Sequence, residues 1–125
     1  RKKDIIITAG GKNIAPKNIE AALMEHEHIT QAVVIGDRRK FLSAIVAVDP
    51  EKLGEAGGDT ASFEASIQAH VDAINERFAR VEHVRKFSVL PRELDQDNDE
   101  LTPTMKIKRR IVNENWAELI DSMYD

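Results

Sequence analysis

Apolar residues recur along this chain with two different periods, and the switches between them divide it into elements. Residues 4 to 15 predict a short hairpin. Ile5, Ile6 and Ile7 are apolar and β-branched and favour extended backbone, Gly10-Gly11 supplies a turn, and Lys12 to Ala15 returns as a second strand. Pro16 stands where the first turn of a helix accepts proline. Ile19, Ala22, Leu23 and His26 then fall on one helical face. After a polar break at Glu27-His28, Val33, Val34 and Ile35 predict a buried strand ended by Gly36-Asp37. Leu42 to Val48 follows a basic turn at Arg38, Arg39, Lys40 and Phe41, and Asp49-Pro50 stops it. Two strands so close in sequence are expected to pair as an antiparallel hairpin.

Residues 51 to 60 are rich in glycine and predict a surface excursion with one helical turn, Asp59 or Thr60 serving as the N-cap of the next helix. That helix carries Phe63, Ile67, Val71, Ile74 and Phe78 on one stripe. Lys86 to Leu90 predicts a third central strand, ended by Pro91. A final helix from about Arg109 to Met123 turns Val112, Trp116, Leu119, Ile120 and Met123 inward. The fold class is α+β: an N-terminal β-hairpin followed by a small three-stranded sheet packed with about three helices.

Composition narrows the function classes. A length of 125 residues implies a single domain, 1–125, with a modest core. Hydrophobic residues at 42% against 32% charged exclude a disordered chain. No apolar run approaches the length of a membrane span. The lack of cysteine removes disulfides, thiolate nucleophiles and cysteine-based zinc sites, and fits a reducing compartment. A net charge of -4 argues against general nucleic-acid binding while leaving room for a local basic patch. Arg1-Lys2-Lys3-Asp4 leads directly into the first strand without an initiator methionine, so a piece of a longer polypeptide is expected.

Several constellations imitate sites without completing them. Asp95-x-Asp97-x-Asp99 begins like a calcium loop, yet Glu100 stands where glycine is required and Lys106 where the last acid belongs. An acidic, solvated turn fits better. His26 and His28 lack the ligand count zinc requires, and His70 and His83 have no carboxylate pattern around them. No serine has the context of a catalytic nucleophile, and Gly11-Lys12 lacks the spacing of a phosphate loop. Gly10-Gly11 admits two readings, a plain turn or a place of close approach to a ligand.

Leu101-Thr102-Pro103-Thr104-Met105-Lys106-Ile107-Lys108-Arg109-Arg110 is different. Pro103 makes a shaped loop of Thr102 to Thr104, and four cations then fall within five positions at a helix start, where the backbone dipole prefers acids. The stretch is either a solvated basic helix start or a site that handles anions.

Two segments together carry a family resemblance. Arg1-Lys2-Lys3-Asp4-Ile5-Ile6-Ile7-Thr8-Ala9-Gly10-Gly11-Lys12-Asn13-Ile14-Ala15-Pro16 through Ile19-Glu20 resembles the hinge-and-hairpin motif of the adenylate-forming acyl-CoA synthetases. Leu101 to Arg110 resembles that superfamily's last core motif, which holds its catalytic lysine. The wording of Ile14-Ala15-Pro16 and Leu101-Thr102-Pro103 is similar to the long-chain fatty acid branch. The resemblance covers essentially the whole chain and implies the C-terminal lid domain of a long-chain fatty acid–CoA ligase, an AMP-forming acyl-CoA synthetase. It also implies that the lid alone is inactive.

By that resemblance Lys106 is catalytic, bridging the fatty-acid carboxylate and the α-phosphate of ATP. The Lys-Ile-x-Arg-Arg frame favours it over Lys108. Most relatives place glycine before this lysine, where Met105 stands here. Lys3 matches the hinge, Arg1 a nucleotide-binding arginine, and Gly10 and Gly11 the turn lining the coenzyme A tunnel; no metal ligand is implied in this chain. ATP, Mg2+ and coenzyme A are the implied cofactors, with Mg2+ and most ATP contacts supplied by the protein's own N-terminal adenylation domain. The other implied partners are a fatty acid and no nucleic acid. A cytoplasmic location is implied, with peripheral membrane association left open. Two alternatives stand beside this reading: a ligase for another carboxylic acid, and a stand-alone interaction or nucleic-acid-binding module.

Overall fold

A computed structural model describes residues 5–36, 39–55, 57, 61–78, 83–90 and 92–124. Its centre is a strand whose seven residues are all buried, β4, Leu42–Val48, in a chain whose elements run from a hairpin, β1 (Ile6–Ile7) and β2 (Asn13–Ile14), through α1 (Pro16–Leu23) and β3 (Ile29–Ile35) to β4 itself, then α2 (Pro50–Glu55), α3 (Ala61–Asn75), β5 (Val84–Val89), α4 (Arg109–Asn115) and α5 (Ala117–Ser122). The sheet order is β3-β4-β5. β3 pairs antiparallel with β4, Val33 opposite Ile45, as two neighbouring apolar runs should. β5 pairs parallel with β4, Ala44 opposite Phe87. Parallel pairing needs a crossover, and α3 lies within it.

Strand alternation sends β3 and β4 to two cores. Ala32, Val34, Ala44, Val46 and Val48 pack with Ile19 and Leu23 of α1 and with Phe63, Ile67, Val71 and Ile74 of α3. Val33, Ile35, Ile45 and Ala47 pack on the other face with Leu90, Leu94, Leu101, Val112, Ile120 and Met123. A strand covered on both faces calls for apolar residues along its length, hence the Leu-Ser-Ala-Ile-Val-Ala-Val run, broken only by Ser43, whose buried hydroxyl donates to the Tyr124 hydroxyl at 3.0 Å. Each large aliphatic side chain so buried contributes roughly 1.5–3 kcal/mol.

The α+β class, the leading hairpin and the three-stranded sheet match the sequence-based expectation, and several details depart from it. The third strand begins at Val84 and lies at the sheet edge, with Arg85 and Lys86 exposed, so it is not central. β3 begins at Ile29, where Thr30 and Gln31 tie to Glu93 and Leu94 rather than to solvent. α1 stops at Leu23, short of His26, because the His26 ring accepts the His28 amide at 3.0 Å and holds the chain in a turn. The final helix is broken at Trp116 (φ -113°, ψ 24°), giving α4 and α5 and, with α2, five helices among the described residues where the sequence predicts about three. The expected N-caps Asp59 and Thr60, the strand stop Pro91 and the loop residues Asp37 and Arg38 lie outside the described residues.

Candidate functional site

The basic segment is a loop closed at its neck. Leu101 and Ile107 form an isolated antiparallel bridge, the Thr102 amide donates to the Lys106 carbonyl at 2.8 Å, and the Lys108 amide donates to the Glu100 carbonyl at 2.8 Å. Inside the neck, the Met105 amide donates to the Thr102 carbonyl and the Lys106 amide donates to Thr102 Oγ1 at 3.0 Å. Thr102 thus holds the turn that Pro103 shapes. Met105 sits in the left-handed region at φ 66°, a conformation glycine takes without strain.

The four cations are not equivalent. Lys108 pairs with Asp99 at 2.5 Å. Arg109 makes a two-pronged pair with Glu20, at 2.6 and 2.7 Å, and Glu20 also accepts the Val34 amide. Arg110 lies 3.6 Å from Glu114 one turn along α4. Acids from three elements therefore answer the cations that the helix dipole disfavours. Lys106 is exposed, and among the described residues it alone of the four faces no carboxylate at ion-pair distance. It lines a cleft of about 330 Å³ with Asp99, Thr102, Lys108, Arg109 and Arg110.

Below the neck lies a buried carboxylate. As a sequence, Glu100 belongs to the acidic run from Asp95; in the structure its side chain is 0% exposed. Arg92 donates to both of its oxygens at 2.8 and 3.0 Å, Trp116 Nε1 donates at 2.9 Å, Asn115 Nδ2 at 3.1 Å and the Asp95 amide at 3.2 Å. Arg92 also lies over the Trp116 ring, 4.8 Å from its centre. Burial pushes the Glu100 carboxyl up, but the donors from Arg92, Asn115 and the Asp95 backbone outweigh it and hold the group below its ordinary range. Neither Glu100 nor Glu20 is a candidate site residue from sequence; the available signal for Glu20 is its place within the apolar run Ile19 to Leu23, and Glu100 reads as one more acid of the run from Asp95.

The hairpin forms a second basic surface. Gly11 takes φ 83°, and the turn is closed by the Gly11 amide on the Thr8 carbonyl and the Thr8 amide on the Lys12 carbonyl. The Ala9 amide donates to the Arg39 carbonyl, which ties the turn to the β3–β4 connection. Thr8, Gly10, Lys12, Lys40, Phe41, His83 and Arg85 line a cleft of about 270 Å³, and among the described residues none of its wall is acidic. Hairpin and basic loop approach one another: Ile5 and Ile6 share a cleft with Arg109 and Arg110. Arg1 and Lys3 lie outside the described residues. The remaining candidates are structural: Asp95 caps a turn through Asn98, His26 contacts Ser66, and His70 and His83 donate to backbone carbonyls.

A family model described as the AMP-binding enzyme C-terminal domain matches residues 3–125. The chain belongs to this family. A long-chain-fatty-acid–CoA ligase of Mycobacterium tuberculosis, FadD15, is 42% identical over 100% of this chain and 23% of its own length. The mouse long-chain-fatty-acid–CoA ligase ACSBG1 is 36% identical over 99% of this chain and 22% of its own. The chain thus spans about a quarter of the length of these relatives. Among solved structures, the adenylation domain of a carboxylate reductase from Mycobacterium chelonae superposes with a TM-score of 0.82 at 23% identity, over 98% of this chain and 19% of that one. A fatty acyl CoA synthetase of Mycobacterium tuberculosis gives 0.62 at 24% identity, over 95% and 21%. These likenesses establish the fold of an AMP-binding enzyme C-terminal domain. No helix among the described residues is long and apolar enough to cross a membrane.

Proposed function

We propose that residues 1–125 form one domain that serves as the C-terminal lid of a long-chain fatty acid–CoA ligase, working against an adenylation domain that precedes it in the same polypeptide. Lys106 carries this reading. It is exposed on a closed loop while the three neighbouring cations are engaged with Asp99, Glu20 and Glu114. In the first half-reaction a fatty-acid carboxylate attacks the α-phosphorus of ATP and pyrophosphate leaves. Two anions must meet, and negative charge builds between them. A compact ammonium on a long stem, not already neutralised, can approach both and stabilise that charge.

In the second half-reaction the thiol of coenzyme A attacks the acyl carbonyl and AMP leaves. The cleft beside Gly10 and Gly11, with Lys12, Lys40 and Arg85 and no acid among the described residues of its wall, suits the phosphates of coenzyme A, and the hairpin turn suits its thin pantetheine arm. Rotation about Lys3 would present Lys106 for the first step and the hairpin for the second, with Arg1 against the nucleotide. Among the described residues no group of His, Asp and Glu could hold a metal ion. Mg2+ and most ATP contacts are assigned to the preceding domain, and the lid alone should not turn over. The family names of the relatives support a long-chain fatty acid as the substrate.

In the full-length protein, Lys106→Ala should reduce fatty-acid-dependent pyrophosphate exchange by at least about a hundredfold, the scale on which a preorganised charge acts. Thioester formation from supplied acyl-adenylate should be largely spared. Exchange near the wild-type rate would remove Lys106 from this role.

A further inference from the structure

The loop that carries Lys106 is held by groups that touch no part of the proposed chemistry. Its neck begins at Glu100, whose carbonyl accepts the Lys108 amide while its side chain points into the protein. That carboxylate receives N–H groups from three places: Arg92 after β5, the Asp95 backbone in the intervening turn, and Asn115 with Trp116 where α4 ends. Arg92 in turn lies against the Trp116 ring. The far end of the same segment is pinned by the Arg109–Glu20 pair. Between the two pins run residues 101–108, whose internal bonds come from Thr102 and the Leu101–Ile107 bridge.

This arrangement is costly unless it serves something. A buried carboxylate–guanidinium pair is commonly no better for stability than apolar residues of the same volume. The final helix is also broken at Trp116, the residue whose indole N–H reaches Glu100. What these features deliver in common is a fixed origin for the loop. The lysine stem is long and flexible, so the position of its ammonium depends on where its backbone is anchored.

We infer that Glu100, with Arg92 and Trp116, is a positioning residue that sets the location of Lys106 for adenylation. This rests on the reading of Lys106 given above. Displacement of a reacting group by about 1 Å can cost on the order of a hundredfold in rate, so losing the clamp should act on the half-reaction that uses Lys106 and spare the other.

The test compares both half-reactions in the full-length protein for Lys106→Ala, Glu100→Gln, Trp116→Phe and the double variant Lys106→Ala/Glu100→Gln. Glu100→Gln replaces an acceptor oxygen with an amide that faces donors, and should slow adenylation about ten- to a hundredfold. Thioester formation from supplied acyl-adenylate should stay within about twofold, as for a group that acts only through Lys106. In the Lys106→Ala background the same substitution should cost nothing further, because the group it positions is gone. If Glu100→Gln does not fold, Trp116→Phe removes one N–H while keeping the ring and decides by the same comparison. Equal losses in both half-reactions, additive losses in the double variant, or unchanged adenylation would each overturn the positioning role. Should Lys106→Ala itself adenylate normally, the assignment of Lys106 fails instead, which is a separate outcome.

Discussion

Met105 occupies a backbone conformation that its side chain resists. At φ 66° it is a non-glycine residue in the left-handed region, held there by its amide bond to Thr102 and by Gln96, whose Nε2 lies 3.1 Å from the Met105 sulfur. The usual cost of such a residue is about 1–2 kcal/mol. Met105→Gly would relieve it but loosen the unfolded chain by about 0.5–1 kcal/mol, so the net change in stability should be small and favourable. Met105→Ile, branched at Cβ, should lose about 1–2 kcal/mol, a scale set by left-handed strain. Urea midpoints measure both, and an isoleucine variant as stable as the parent would show that the loop relaxes out of this conformation. The sequence marks the loop through Pro103 and the run of cations. It does not show that the backbone at Met105 adopts the left-handed conformation that glycine takes without strain, nor that three of the cations are neutralised by Asp99, Glu20 and Glu114. Glu114 stands one turn along the same helix, but Asp99 and Glu20 come from elsewhere in the chain, where helical spacing from the cations does not reach.

Among the elements, α1 and α4 are joined across 89 positions by the Glu20–Arg109 pair, with Glu20 bonding the Val34 amide as well. Its side chains are only 9% and 21% exposed, so breaking one partner strands the other in a poorly solvated place. Arg109→Met should therefore destabilise the protein by about 3 kcal/mol. Adding Glu20→Gln to it should return part of the loss, because no charge is then left unpaired. A single variant within about 0.5 kcal/mol of the parent by urea unfolding, the range of an ordinary surface change, would mean that the pair is replaced by water at no cost. Element positions were largely legible, since β4, α3 and the hairpin announce themselves by period. The edge position of β5 was not, because Phe87, Ser88 and Val89 look alike whether a strand has one neighbour or two. Nor was the break at Trp116: the apolar stripe continues straight through it, and only the distant Glu100 explains the turn.

For the molecule as a whole, three carboxyl groups among the described residues are held below their ordinary values. Burial raises Glu100, yet its donors prevail; the Arg77 side chain lowers Glu25, and Asn98 lowers Asp95. Each binds a proton less readily folded than unfolded, so its contribution is complete above the ordinary value of 4.5 or 3.8 and is lost as pH falls through the lowered one. Stability should decline on acidification below about pH 4.5, the ordinary value for glutamate. Most of the decline belongs to Glu100, since Glu25 and Asp95 are open to solvent and screened. Melting temperatures followed from pH 7 to pH 3 should show a shallower acid limb in Glu100→Gln, and parallel limbs would assign the effect elsewhere.

One face of the sheet waits for the last elements to arrive. Val33, Ile35, Ile45 and Ala47 are laid down early, yet their cover, Val112, Ile120 and Met123, comes some seventy positions later. While a ribosome is still making the intervening residues, that apolar surface stands open to whatever is near. The domain can be sealed only when α4 and α5 have left the exit tunnel, so the segment that bears the reactive lysine emerges just ahead of the helices that complete the structure beneath it.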